Sequence, residues 1–175
     1  MADVNVRAAE ASPADLAAVA RVAHRTWPDA YRDLLPAAVV EAHLAAAYRP
    51  EALADRMRLA GGLFLLAEAD GQCVAFCQAQ RRPAAPGEAD LWAIYVLPQW
   101  QGRGVGGRLL RAVLAPLADC RMHVALAAGN ERAARFYASH GFVPEGGGYR
   151  ALLAGHPVEM RSMVRAPQAR GADTG

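Results

Sequence analysis

Lysine is missing altogether: every one of the 19 basic residues in this 175-residue chain is an arginine. Without a lysine amine no Schiff base can form and no Walker-type phosphate loop can be completed. Serine is scarce too. Ser12, Ser139 and Ser162 are all there are, and none stands within G-x-S-x-G, so an esterase nucleophile has no support. Cys73, Cys77 and Cys120 are odd in number and lack the C-x-x-C spacing of a zinc or redox site. Cys73 and Cys77 fall in an apolar run, where thiols serve as small buried hydrophobes, and a reducing compartment follows. The five histidines contain no H-E-x-x-H and no His/Cys cluster, so no metal is expected. His140 is read as favouring a helix C-terminus through its charge.

No basic run extends beyond Arg81-Arg82 and the formal net charge is only +2, which argues against a nucleic-acid or membrane-surface partner. No stretch of uncharged apolar residues is long enough to span a bilayer. The first 25 residues carry Asp3, Glu10 and Asp15 and no continuous apolar core, so no signal peptide is expected and the location is read as cytoplasmic. What is present is an ordinary globular balance, 54% apolar and 21% charged, in a length that suits one self-supporting core. We expect a domain over 1–165 and a disordered polar tail over 166–175.

Local signals order the elements. Val4-Asn5-Val6-Arg7 alternates and reads as a strand. Ser12-Pro13-Ala14-Asp15 opens a helix, with serine as cap, proline in the first turn and an acid at the positive end. That helix is expected to run to about Thr26 and to be broken by Trp27-Pro28-Asp29-Ala30-Tyr31. Further helices are expected over 37–47 and 51–59. Two strands, 63–69 and 72–80, flank Asp70-Gly71, a hairpin signal, and the small Cys73, Ala75, Cys77 and Ala79 share one face where another element can approach. A strand over 90–97 is followed by a glycine-rich loop and a helix over 105–117. Another strand, 122–127, leads to a helix capped by Asn130 and closed by Gly141. Phe142-Val143 and 158–164 read as closing strands.

Two segments carry chemistry. Pro98-Gln99-Trp100-Gln101-Gly102-Arg103-Gly104-Val105-Gly106-Gly107 joins a strand to a helix start. Small residues there let backbone approach a ligand, and the helix offers unpaired amides and a positive dipole end, so the natural guest is a phosphate. Arg103 and Arg108 add charge at the rim. The string Gly102-x-Gly104-x-x-Gly107 also satisfies the dinucleotide pattern, which raises a nicotinamide oxidoreductase as an alternative. Against it stand the four residues between strand and first glycine, the lack of an acid ending the next strand, and the motif's place past the chain's midpoint. In the second segment, Asn130-Glu131-Arg132-Ala133-Ala134-Arg135-Phe136-Tyr137, Ala133 and Tyr137 share a helix face one turn apart. An alanine-lined helix start can pass a slender chain and present the Tyr137 hydroxyl at its end; the competing reading is a core tyrosine bonded to backbone.

Taken together and in this order, the segments resemble the GNAT superfamily of N-acetyltransferases, over roughly residues 4–164. Gln101-x-x-Gly104-x-Gly106 is similar to the family's Q/R-x-x-G-x-G/A pyrophosphate motif, and Asn130-x-x-Ala133-x-x-Phe136-Tyr137-x-x-x-Gly141-Phe142 follows at the family's spacing. The resemblance implies an α/β fold with a central mixed, mostly antiparallel sheet flanked by helices. It implies acetyl-CoA as donor and a primary amine of a small molecule or peptide as acceptor, attacking the thioester directly. It implies that backbone of Tyr95 and Val96 pairs with the pantetheine amides, and that amides of Gln101, Gly102, Arg103, Gly104, Val105 and Gly106 hold the pyrophosphate. Asn130 and Ala133 would line the pantetheine path and Tyr137 would protonate the departing sulfur. Asp90 lies where several histone-type relatives carry a glutamate base; one methylene shorter, it would act through water, with Glu88 as the second candidate and a merely solvated strand edge as the alternative. Trp27 and Tyr31, with Asp29 between them, fall in the region that walls the acceptor site, where aromatics suit a cationic amine or serve as packing. A homodimer is an expectation of the same kind. A non-catalytic acyl-CoA sensor on the same fold is the second hypothesis.

Overall fold

A computed structural model of the chain describes residues 3–168. Among these, the elements run β1 (Asn5–Ala8), α1 (Pro13–Ala30), α2 (Ala37–Ala47), α3 (Pro50–Met57), β2 (Gly62–Ala69), β3 (Gln72–Arg81), β4 (Glu88–Val96), α4 (Val105–Leu114), β5 (Arg121–Ala127), α5 (Glu131–Ala138), β6 (Val143–Leu153) and β7 (His156–Arg165). The strands form one sheet in the order β1-β2-β3-β4-β5-β7-β6, and only β4 and β5 run parallel. This is the mixed, mostly antiparallel sheet expected.

The turn chemistry explains much of the chain path. Asp70 (φ 51°) and Gly71 (φ 72°) both sit in the left-handed region, as a two-residue hairpin that matches strand twist requires. Ser12 caps α1 by accepting from the Asp15 amide. Asn130 caps α5 through the Ala133 amide, and Gly141 ends that segment at φ 83°. His140 stands at the same end, with Nδ1 2.8 Å from the Phe136 carbonyl.

Two expectations fail. α1 does not stop at Thr26 but passes through Pro28 to Ala30. Proline removes one backbone bond and crowds the previous turn, yet continuing the helix seats Trp27 in the core, stacked between Tyr31 (4.4 Å) and His43 (4.3 Å). The second failure is β6, which extends through Pro144 and Gly146–Gly148 to Leu153. Its glycines form a bulge between Glu145 and Tyr149, so the strand resumes pairing with β7 instead of leaving the sheet. Of the tail expected from 166, residues beyond 168 lie outside the described part, and Gln168 donates its amide to the Ala118 carbonyl at 2.8 Å.

The sheet has two unlike faces. On β3, Ala75 and Cys77 pair with Val96 and Ile94, and a Val96 methyl lies 3.6 Å from where a Cβ on Gly106 would be, so α4 packs on the small-residue face. Cys73 and Cys77 are buried and unpaired, as expected of small hydrophobes, and burial raises the Cys73 thiol to about 11. On the opposite face Phe76 and Tyr95 meet the aromatic end of α1, with Tyr95 5.6 Å from Trp27 and Phe76 6.0 Å from Tyr48.

β1, β2 and the start of α1 are fastened by Arg7, which holds Asp15 with both terminal nitrogens (2.8 and 2.7 Å) and Glu68 through Nε (3.0 Å). The Glu10 amide adds a bond to Asp15 at 2.7 Å. The Arg7 guanidinium is the main cause that holds the Asp15 carboxyl below its ordinary value. A carboxyl lowered on folding lends stability above the unfolded-state pKa near 4 and loses it as pH falls through its own lower value. Asp15→Asn should therefore destabilise the fold by about 1–3 kcal/mol at pH 7, a hydrogen-bonded charge discounted for the half-open Arg7. The deficit relative to the parent should shrink below pH 4 in urea unfolding curves; an unchanged midpoint at pH 7 would contradict the role.

Candidate active site

The site begins where the sheet comes apart. β4 and β5 are paired over Glu88–Leu91 and Arg121–Val124, and their register ends at Leu91 opposite Val124. Beyond it, β4 continues against β3 alone and β5 against β7 alone. The cause is local: the β3–β4 register slips between Gln78↔Ala93 and Ala79↔Leu91, leaving Trp92 as an extra residue on β4. An extra residue bends a strand and raises its twist, so β4 swings away from β5. The fork opens into a cleft of about 1030 Å³ lined by both arms, by the first turns of α4 and α5, and by the end of α1.

On the β4 arm, the chain passes through a short 3-10 turn (Pro98–Trp100) into the glycine loop and α4. Gly104 is left-handed at φ 78°, which turns the backbone into the helix with its amides outward. Gly106 is needed for space: a Cβ there would lie 3.3 Å from the Phe136 ring on α5. Among the described residues, the amides of Gly102, Arg103, Gly104, Val105, Gly106 and Gly107 have no backbone or side-chain acceptor. A row of unpaired N–H groups at a helix start fits a diphosphate. Gln101, Gly102, Gly104, Val105 and Gly106 all border the cleft.

Side chains in this segment do different work from their amides. Gln101 ties the loop down: Nε2 donates to the Val96 carbonyl at 2.8 Å and Oε1 accepts from Arg132 on α5. The Val96 carbonyl thus has one lone pair engaged by Gln101. The Arg103 guanidinium lies over the Trp100 ring, 5.1 Å from its centroid. Arg108 is not a rim charge; it donates to the Val4 carbonyl at 2.9 Å, because α4's second turn faces β1.

On the β5 arm, Asn130 and Ala133 border the cleft, as does Tyr137. The Tyr137 ring is buried against Phe136 (5.3 Å) and Phe142 (5.4 Å). Among the described residues its hydroxyl has no hydrogen-bond partner, unlike that of a core tyrosine bonded to backbone. Burial pushes the phenol well above its ordinary value. Tyr95 and Tyr31 are raised for the same reason, and their hydroxyls meet at 3.2 Å.

The acceptor-side residues sort differently from expectation. Trp27 reaches the cleft only by its rim, since Tyr31 and His43 cover its faces, so it offers no open ring to a cation. Asp29 is paired with Arg32 at 3.1 Å. Asp90 borders the cleft, but Arg82 grips both its oxygens, Nε at 2.8 Å and Nη2 at 2.6 Å. Sequence reasoning passed over His123, which faces Asp90 across the β4–β5 register and contacts Glu88 and Glu145. Only the parallel pairing reveals it.

Comparison with known proteins agrees with this geometry. A model of the acetyltransferase (GNAT) family matches residues 23–142. An aminoglycoside N(6')-acetyltransferase type 1 from Stenotrophomonas maltophilia is 37% identical over 122 residues, covering 64% of this chain and 69% of that protein. Among solved structures, the PaiA N-acetyltransferase from Thermoplasma acidophilum in complex with coenzyme A aligns at TM-score 0.77 and 20% identity, over 91% of this chain and 98% of the other. The Escherichia coli ribosomal-protein-S18-alanine N-acetyltransferase aligns at TM-score 0.70 and 20% identity, over 99% of each chain.

The loop geometry makes a direct test. Gly104→Val places a β-branched side chain at positive φ, a strain of about 1–3 kcal/mol, and covers the amide row. Coenzyme A affinity by calorimetry should fall at least about tenfold, the equilibrium equivalent of ~1.4 kcal/mol. Affinity equal to the parent's would contradict the loop's role.

Proposed function

The chain belongs to the GNAT family of acetyltransferases, and on that premise we propose that it moves an acetyl group from acetyl-CoA to a primary amine of a small, cationic molecule. The observation that carries the proposal is the fork between β4 and β5 with the unpaired amide row at its rim. A cleft that divides a sheet exposes backbone groups along both arms, and a pantetheine arm with its own amides satisfies them as an added strand does. The thioester is then delivered to the fork's apex.

Residues on this chain meet the needs of direct attack. The β4 backbone just past Leu91 has no β5 partner, so its N–H groups are free to receive negative charge developing on the carbonyl oxygen. Tyr137 stands at the cleft with a free hydroxyl and serves as the acid that protonates sulfur. Its raised pKa widens the gap to a thiol near ~8.5 in water, but a thiolate buried beside it is raised by the same desolvation, which narrows the gap again. Asp90, held by Arg82, is a fixed anion on the acceptor side. Similarity to an aminoglycoside acetyltransferase supports a small amine over a peptide.

Tyr137→Phe should lower kcat by about 10²-fold, the range for loss of a general acid, while the KM for acetyl-CoA stays near that of the parent. Since burial keeps this phenol protonated beyond its usual range, the parent enzyme should show no falling limb from Tyr137 between pH 8 and about 10. Thiol release across a panel of primary amines measures both. Equal kcat for the two proteins at every pH would remove Tyr137 from the mechanism, and absence of turnover with intact coenzyme A binding would favour the sensor.

A further inference from the structure

One imidazole at the apex of the fork has no part in the reaction as described so far. His123 lies on β5 opposite Asp90, one step before the strands separate. Paired residues share a face, and Asp90 and Gln80 continue the face on which Gln78 meets Ala93 and Phe76 meets Tyr95. His123 therefore stands on the α1 side, where the acceptor enters, and its side chain, 16% exposed, borders the cleft.

Its two nitrogens are not equivalent. Nε2 is hydrogen-bonded to Glu88 Oε2 from β4. Nδ1 has no hydrogen bond but lies 3.4 Å from Glu145 Oε2 on β6. The remaining charged groups around the ring are spoken for. Arg121 on β5 holds the other Glu145 oxygen, and Arg82, just beyond β3, holds Asp90 and lies close enough to feel both Glu88 and Glu145. The β7 neighbour in register is Val164, which is apolar.

A neutral imidazole has one N–H and one lone pair, and the partner of the first fixes where the second points. Glu88 can only accept, so it selects Nε2–H and leaves the lone pair on Nδ1. An ammonium nitrogen about 2.9 Å from both Nδ1 and Glu145 Oε2 closes a triangle with hydrogen-bond sides. Building on the acetyltransferase reading, we propose that His123 is the general base for the acceptor amine, with Glu88 as its positioning residue and Glu145 as the carboxylate that receives the ammonium. The ammonium N–H bond breaks and Nδ1–H forms, leaving an imidazolium between two carboxylates and a free amine lone pair for the thioester carbon. That first proton passes from His123 to solvent. The second proton the nitrogen sheds balances the one Tyr137 gives to sulfur, so the sum is one amide, one thiol and one released proton.

The test has two arms on the full chain saturated with acetyl-CoA or coenzyme A. In the first, kanamycin, spermidine and a peptide with N-terminal alanine are compared as acceptors, and the fastest is used for His123→Gln and Glu88→Ala. Both variants should bind acetyl-CoA normally. His123→Gln should lose about 10²-fold in kcat/KM for the amine at pH 7, and the deficit should shrink as pH rises and the free amine forms unaided. A wild-type rate, or a deficit that does not change with pH, overturns the proposal. In the second arm, long-range ¹H–¹⁵N spectra identify the His123 tautomer, assigned by its loss in His123→Gln. The neutral ring should carry its proton on Nε2, lose that preference in Glu88→Ala, and shift at Nδ1 when spermidine is added. A proton on Nδ1 overturns the proposal whatever the kinetics give. Should no amine be acetylated while coenzyme A binds, the acetyltransferase reading fails on its own account and the spectra alone decide on the dyad.

Discussion

The end of hydrogen bonding between β4 and β5 after Leu91 and Val124 is the constraint from which the rest of the site follows. Splitting a sheet in its middle leaves backbone donors and acceptors facing a cavity, a cost comparable to a lost hydrogen bond for each buried group. The far edge of each arm is laddered, β4 with β3 and β5 with β7, so only the groups that face the gap stay unpaired and open to the cleft. One extra residue at Trp92 sets the divergence. The aromatic end of α1 closes one face of the gap, which is why the helix runs through Pro28 despite the lost backbone bond.

Charge around the fork is fixed in place. Arg82 on Asp90 and Arg121 on Glu145 are planar forks on carboxylates, and such pairs hold orientation as well as charge. A chain without lysine has only this kind of cation to use, so its acceptor-side carboxylates are pinned rather than free to swing. Both Asp90 oxygens are thereby engaged by Arg82, while Nδ1 of His123 is left without a hydrogen bond. Deeper in, Tyr31, Tyr95 and Tyr137 stay neutral because burial disfavours their phenolates, which keeps the floor of the cleft uncharged.

What the sequence makes legible is local. Ser12, Asp70-Gly71, Gly104, Asn130 and Gly141 each act within a few residues of themselves, and each is found where its chemistry places it. The order of those signals is enough to indicate the family. Illegible are features decided by distant partners. Pro28 reads as a break until Trp27 has somewhere to pack, and the closing strand read at Phe142-Val143 is not extended across Gly146–Gly148 until β7 is there to hold both ends of the bulge. Arg108 reads as a rim charge until β1 supplies a carbonyl. His123 is the sharpest case: alternation along β5 gives its face, but nothing short of strand order gives it Glu88 and Glu145 as neighbours.

The chain divides its labour between the two arms of the fork. β4 leads into the glycine loop and α4, so the arm proposed to supply N–H groups to the thioester oxygen is also the one proposed to grip the diphosphate. β5 runs through Gly129 into α5, so the arm that bears His123 also bears Tyr137. In the proposed reaction, donor binding and charge stabilisation thus reside on one continuous segment, and proton removal and proton return on the other. The two segments touch where Arg132 bonds Gln101 and where Phe136 packs on Gly106, its ring 3.3 Å from where a Cβ would be. The Phe136 contact sets the spacing of α5 from the amide row: a Cβ at 106 would require the Phe136 ring to give by a few tenths of an ångström, so only a small residue leaves α5 and Tyr137 where they stand.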